Sequence, residues 1–165
     1  MGLDPTYEKI AGPLGHLIIE FNALELAIAS LIARLLSQDE YVAAAFLRIS
    51  FSERLTIARQ ITTIKVLDLD HRAAIETELQ NAQGINAERN AYIHSEYLGV
   101  GGDSADVLRG KHRDRVAAFL APDSAETHTF YPTVSVDHII AQADKANNTA
   151  QNIRALAEKY SDGNP

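Results

Sequence analysis

Cysteine is absent from the 165 residues, and with it go disulfide bonds, thiolate metal sites and any cysteine nucleophile. Positive charge is also scarce. Fifteen Lys and Arg stand against 22 Asp and Glu, for a net charge of −7. A chain that coats nucleic acid non-specifically needs many phosphate-facing cations, so that class is disfavoured, although a small local basic site is not. A third lack is an unbroken apolar run. The longest such tract, around Leu14 to Leu36, is interrupted by Glu20, Asn22, Glu25 and Arg34, too many polar groups for an ordinary membrane span. The opening MGLDPTYEK has no basic region leading into an apolar stretch, so no secretory signal is read there. The expectation is a soluble, cytoplasmic protein with no membrane partner.

Several catalytic motifs are missing as well. The glycine-rich Gly99–Ser104 is followed by no Gly-Lys-Ser or Gly-Lys-Thr, which removes a Walker phosphate loop. Neither Gly-x-Ser-x-Gly nor His-Glu-x-x-His occurs, so serine-hydrolase and zinc-protease chemistry have no motif to rest on. His16 and Glu20 stand four apart on one helix, but no second pair with matching spacing completes a metal site, and they read as a helical surface pair. No cofactor and no metal are expected.

What is present is helical. Apolar residues make up 46% of the chain, enough for a core without covalent staples, and the length suits one domain over residues 1–165. A first helix is predicted from about Tyr7 to Leu36, with the stripe Leu14, Ile18, Phe21, Glu25, Ile28, Ile32, Leu35 and a neighbouring row Leu17, Leu24, Leu31. Gly12-Pro13 either delays its start or kinks it. Glu25 falls inside the apolar stripe, where it is an ion-pair partner for Arg89 or Arg54, with the expectation that it neutralises and orients Arg89; the alternative is a stripe that narrows there and lets Glu25 reach solvent. A second helical region from about Asp39 to Val66 has a natural break, because Ser50-Phe51-Ser52-Glu53 has the form of a capping box at which a helix restarts. Asp70 is the expected N-cap of a third helix over about His71 to Tyr97, with the stripe Ile75, Leu79, Ala82, Asn86, Arg89 or Asn90, Ile93, Tyr97. That stripe turns polar in its second half, and Gly84 inside it costs roughly 1 kcal/mol of helix propensity relative to Ala. Residues of about 98–134 form a non-helical insertion, with a small β-hairpin expected from Val116–Ala121 and Thr127–Tyr131 around Pro122-Asp123-Ser124. Ser135 or Thr133 then caps a last helix running to about Tyr160. Short links between long amphipathic helices favour an all-α, antiparallel four-helix bundle.

The residues with most chemical content are Arg89, Asn90 and His94. Asn90 and His94, four apart, share a helix face, while Arg89 lies about 140° round from His94 with a side chain long enough to reach back. An imidazole takes a proton from a ribose 2′-hydroxyl near neutral pH. A guanidinium grips phosphate oxygens and opposes the charge that grows in the transition state. The carboxamide orients either partner. Lys111-His112-Arg113-Asp114-Arg115 is the clear basic cluster, read as a solvated loop.

Arg89-Asn90-x-x-x-His94 resembles the Arg-x(4–6)-His signature of HEPN domains, including the polar residue that often follows the arginine. The layout is similar too, with Phe21-Asn22-Ala23-Leu24-Glu25 on a long first helix and the motif late in the third. The resemblance implies a HEPN-like helical bundle that forms a homodimer with the two motifs facing across the interface. It implies a metal-independent endoribonuclease that leaves a 2′,3′-cyclic phosphate, with RNA as substrate. His94 is then the general base, Arg89 the phosphate contact and Asn90 their support. Many HEPN enzymes act as toxins or in defence against phage, often beside an antitoxin protein. Some HEPN-like proteins lack nuclease activity, and the alternative is a non-catalytic helical dimer acting as a binding or structural module. A nucleotide-binding module without cleavage is a third reading.

Overall fold

The structure, a computed structural model, describes residues 5–94, 96–100, 106–110 and 133–160. These are mostly helical. In chain order they form α1 (Pro5–Leu35), α2 (Glu40–Phe46), α3 (Phe51–Lys65), α4 (Leu69–Ile93), β1 (Glu96–Val100), β2 (Asp106–Gly110), β3 (Thr133–Ser135) and α5 (Val136–Glu158). The chain divides into two compact units that share the long helices. One comprises Met1–Ile18 with Glu88–Ala143, the other Ile19–Ala87 with Asp144–Pro165.

Local chemistry sets the helix ends of the second unit. α1 runs through Pro13 without a break and closes in a Schellman-type turn: Ser37 N–H donates to Arg34 O and Gln38 N–H to Ala33 O, both at 2.9 Å. Ser37 takes the left-handed conformation this turn requires, at φ 55°. Asp39 caps α2, accepting from the N–H of Tyr41 and Val42. Ser50 caps α3 through the complete capping box expected from the sequence. For α4 the cap is Asp68 rather than Asp70. Its Oδ1 accepts from Asp70 N–H at 2.9 Å and His71 N–H at 3.1 Å, so the helix begins at Leu69, two residues earlier than the sequence suggested.

The core of this unit draws on four helices. Phe21, Leu24, Ile28, Leu31, Ile32 and Leu35 of α1 meet Leu55 and Ala58 of α3, Ile75, Leu79, Ala82 and Ile85 of α4, and Ala146, Ala150, Ile153 and Ala157 of α5. Burying each large aliphatic contributes about 1.5–3 kcal/mol, and that sum drives the helices together. The alanines of α5 allow close helix approach. The α4 stripe differs from the predicted one. Ile85, fully buried, continues the core where Asn86 had been placed. By length and composition α1 is also apolar enough to cross a membrane, a test that the core helix of a soluble protein passes too; half of the window is buried here.

The other unit has its own small core of Leu17, Tyr92, Val134, Ile139 and Ala143, with Leu14 packed against it. It also holds a three-stranded antiparallel sheet in the order β1-β2-β3. Here the third helix falls short of expectation. It stops at Ile93, and Glu96 and Tyr97, predicted at or near the helix end, instead pair with Gly110 and Arg109. Tyr97 and Val100 are β-favouring and Gly99 is a poor helix residue, so pairing with β2 prevails over one more helical turn. The β1–β2 register shifts between Tyr97 and Gly99, a bulge of the kind glycine accommodates. The predicted hairpin over 116–131 and the basic cluster over 111–115 lie outside the described residues. β3 leads directly into α5, whose start is capped as predicted by Ser135 Oγ accepting from Asp137 N–H at 3.2 Å.

Candidate functional site

Arg89, Asn90 and His94 gather at the C-terminal end of α4, within the unit that carries the sheet. Arg89 and Asn90 are half-buried in the last turns, and Arg89 Nη1 donates to Asn90 Oδ1 at 2.9 Å. His94 sits one residue past the helix, with its backbone N–H still donating to Asn90 O at 3.1 Å in the helical pattern. Its imidazole is exposed. The structure therefore joins the guanidinium and the carboxamide directly and holds the imidazole one turn further on, facing water. Helix length fixes this arrangement. With α4 ending at Ile93, His94 occupies the junction between helix and strand, where a side chain is open to a large ligand.

The turn that bears the motif is anchored from behind. Tyr92 is 2% exposed and packs in the small core with Leu17, Ile139 and Ala143. Its ring also meets that of His138 of α5, with centroids 6.2 Å apart at 58°. His138 in turn lies 3.4 Å from Gln142 Nε2 through its own Nε2. Only the fold brings this second imidazole beside the α4 end, and no spacing within the chain signals it.

Glu25 belongs to a different arrangement. Its partner is Arg54, at 3.2 Å, so Glu25 does not neutralise and orient Arg89 as the sequence suggested. Arg54 is 2% exposed and donates also to the carbonyls of Phe46, Leu47 and Ile49 at 2.8, 3.4 and 3.1 Å. One guanidinium thus satisfies the carbonyl end of α2 and the link to α3, where unpaired backbone oxygens are otherwise costly. It is a structural clasp within the helical unit.

Elsewhere among the described residues, three groups have displaced titrations. The Ser50 hydroxyl, and next its backbone N–H, hold the Glu53 carboxyl below its ordinary value. The His71 backbone N–H does the same for Asp68, against a smaller opposing effect of desolvation. Desolvation, aided by the charge of Asp68, pushes the Tyr160 phenol up. All belong to helix caps or their neighbours. Among the described residues, no group of three or more His, Asp or Glu could hold a metal ion. No family model, no curated protein and no solved structure matches the chain.

Proposed function

We propose that the protein is a metal-independent endoribonuclease of the HEPN kind, built as an antiparallel four-helix bundle with an insertion before the last helix and active in the cytoplasm as a homodimer. The observation that carries the reading is the exposed His94 imidazole one turn beyond the bonded Arg89–Asn90 pair at the end of α4. Imidazole is the side chain suited to exchange a proton near neutral pH, and an exposed one can meet a substrate hydroxyl. His94 removes the proton of a ribose 2′-hydroxyl, and the freed oxygen attacks the adjacent phosphorus. The P–O5′ bond breaks, the leaving 5′-oxygen takes a proton, and a 2′,3′-cyclic phosphate remains. Arg89 opposes the negative charge on the phosphoryl oxygens, and Asn90 fixes the guanidinium by the 2.9 Å bond. A single motif presents one imidazole, and two copies across a dimer seam supply a second for the leaving group. A role as a toxin or defence component, held in check by an antitoxin protein, fits this activity.

A second reading has its own support. The chain is acidic, and Arg89 is half-buried and already engaged with Asn90. The same residues then form a satisfied polar network at the interface of a non-catalytic helical dimer that binds a partner. Cleavage of RNA in EDTA by the wild type, and its loss in His94→Ala, separates the two. Sedimentation at micromolar concentration tests the dimer, and a monomer there would remove the two-copy site.

A further inference from the structure

α3 buries Arg54, Leu55, Ala58 and Thr62, and its opposite side faces water. At about 100° per residue, Glu53, Ile57, Gln60 and Ile64 fall within about 60° of one another on that side, with Thr56 beside them. The face is apolar where it is most exposed. Ile64 is 71% exposed, and Leu67, just past the helix end, is 80% exposed.

The two ends of this face differ in shape. At the N-terminal end, Ile49, Ser52, Glu53, Thr56 and Ile57 line a shallow hollow of about 310 Å³. At the C-terminal end, Ile64 and Leu67 project. The chain that follows Ile64 is held firmly. Arg72 Nε and Nη2 donate to Val66 O at 2.9 and 2.6 Å, and Asp68 caps α4. A projection fixed in this way loses little freedom on docking. A two-fold contact requires that a surface match itself. A knob at one end of a helix face and a hollow at the other match themselves only when the second helix runs antiparallel. We propose that this face of α3 docks antiparallel on α3 of a second copy of the chain, with Ile64 of each seated in the hollow of the other.

The charges agree with this direction. Seating Ile64 opposite the stretch from Ser52 to Ile57 brings Lys65 of each copy near Glu53 of the other, so opposite charges meet twice. Neither group has an ion pair among the described residues, whereas the other two cations of α3 are engaged, Arg54 with Glu25 and Arg59 with Glu76. A parallel pairing would set Glu53 against Glu53 and Ile64 against Ile64 and leave both hollows empty. Such charges fix register and orientation more than affinity. A contact of one helix and its flanks falls below the roughly 1,200 Å² of a standard interface, so the association is weak and depends on concentration. None of its residues belongs to the Arg89–His94 turn. The contact is separate from the seam proposed there, and its failure leaves that reading standing.

The test is disulfide linking in the full chain, which has no cysteine of its own. Gln60 lies next to the two-fold axis of the antiparallel pair. Gln60→Cys should therefore oxidise to a linked dimer at about 100 µM protein, where a small interface is populated. Ser52→Cys should not, because the pairing separates the two copies of that residue by roughly 20 Å along the helix axes. Gly84→Cys, at an exposed position of α4 where a Cβ meets nothing within 4 Å, reports random collision. Adding Ile64→Gln, an exposed change that leaves the circular dichroism spectrum as it was, should lower the Gln60→Cys yield about tenfold or more through loss of the buried aliphatic. Adding Lys65→Glu should lower it several-fold by setting like charge against Glu53. The proposal is overturned if Gln60→Cys links no faster than Gly84→Cys, if Ser52→Cys links equally well, as in a parallel pair, or if the yield is indifferent to Ile64→Gln.

Discussion

At the residue scale, Ser50 and Glu53 show how a four-residue string sets both a boundary and a titration. Ser50 Oγ donates to Glu53 Oε2 at 2.6 Å and accepts from Glu53 N–H at 3.3 Å, while Ser50 N–H donates to the same carboxylate at 3.0 Å. The folded-state pKa of Glu53 therefore lies below its ordinary 4.5, and that of Asp68 below its ordinary 3.8. A carboxylate depressed on folding contributes stability above its unfolded pKa and loses it as the pH falls through the folded value. Acid unfolding should accordingly draw on both caps below about pH 4.5. Ser50→Ala should cost about 1 kcal/mol in urea unfolding at neutral pH, as loss of an N-cap does. Carbon-detected titration should then show the Glu53 carboxyl moving back up. A Glu53 titration indifferent to Ser50→Ala would mean that the hydroxyl is not what holds it down.

At the element scale, the decisive interactions are those between helices. Arg54 is the clearest case, because its guanidinium answers three carbonyls and Glu25 from a position 2% exposed. Arg54→Ala should destabilise by about 3–5 kcal/mol, leaving carbonyls and a carboxylate unanswered. Glu25→Ala should cost distinctly less, since Glu25 is 27% exposed and Arg54 keeps its carbonyls. Equal losses in chemical denaturation would contradict the carbonyl clasp. On α4, a Cβ added at the exposed Gly84 would meet nothing within 4 Å. Gly84→Ala should therefore raise stability by about 0.5–1 kcal/mol, with the gain read as a higher urea midpoint at unchanged slope. What the sequence made legible follows the range of each interaction. The Ser50 restart and the Ser135 cap are local, and both are where the string puts them. The α4 stripe was misread by one position, because Asn86 and Ile93 fit a four-three spacing as well as the buried Ile85 and Tyr92 do. The end of α4 was misplaced because pairing with a distant strand fixes it. Burial of Arg54 and the meeting of Tyr92 with His138 depend on residues far along the chain, and no local pattern carries them.

At the scale of the whole molecule, Arg89, Asn90 and His94 are legible as a cluster because they lie on one stretch of helix, and the structure keeps them together at its end. The function proposed for them needs a second copy and an RNA strand, neither of which spacing describes. The acidic chain makes RNA affinity a demand on a few groups rather than on a basic surface. Removal of divalent metal should therefore leave activity intact, while loss of either His94 or Arg89 should remove it. The most direct measurement is cleavage of a broad RNA panel in EDTA by wild type, His94→Ala and Arg89→Ala at matched folding by circular dichroism, with the product ends identified. The wild type should leave 2′,3′-cyclic phosphate ends, and neither variant should leave any. Intact RNA with the wild type, or cutting that survives His94→Ala, would contradict it.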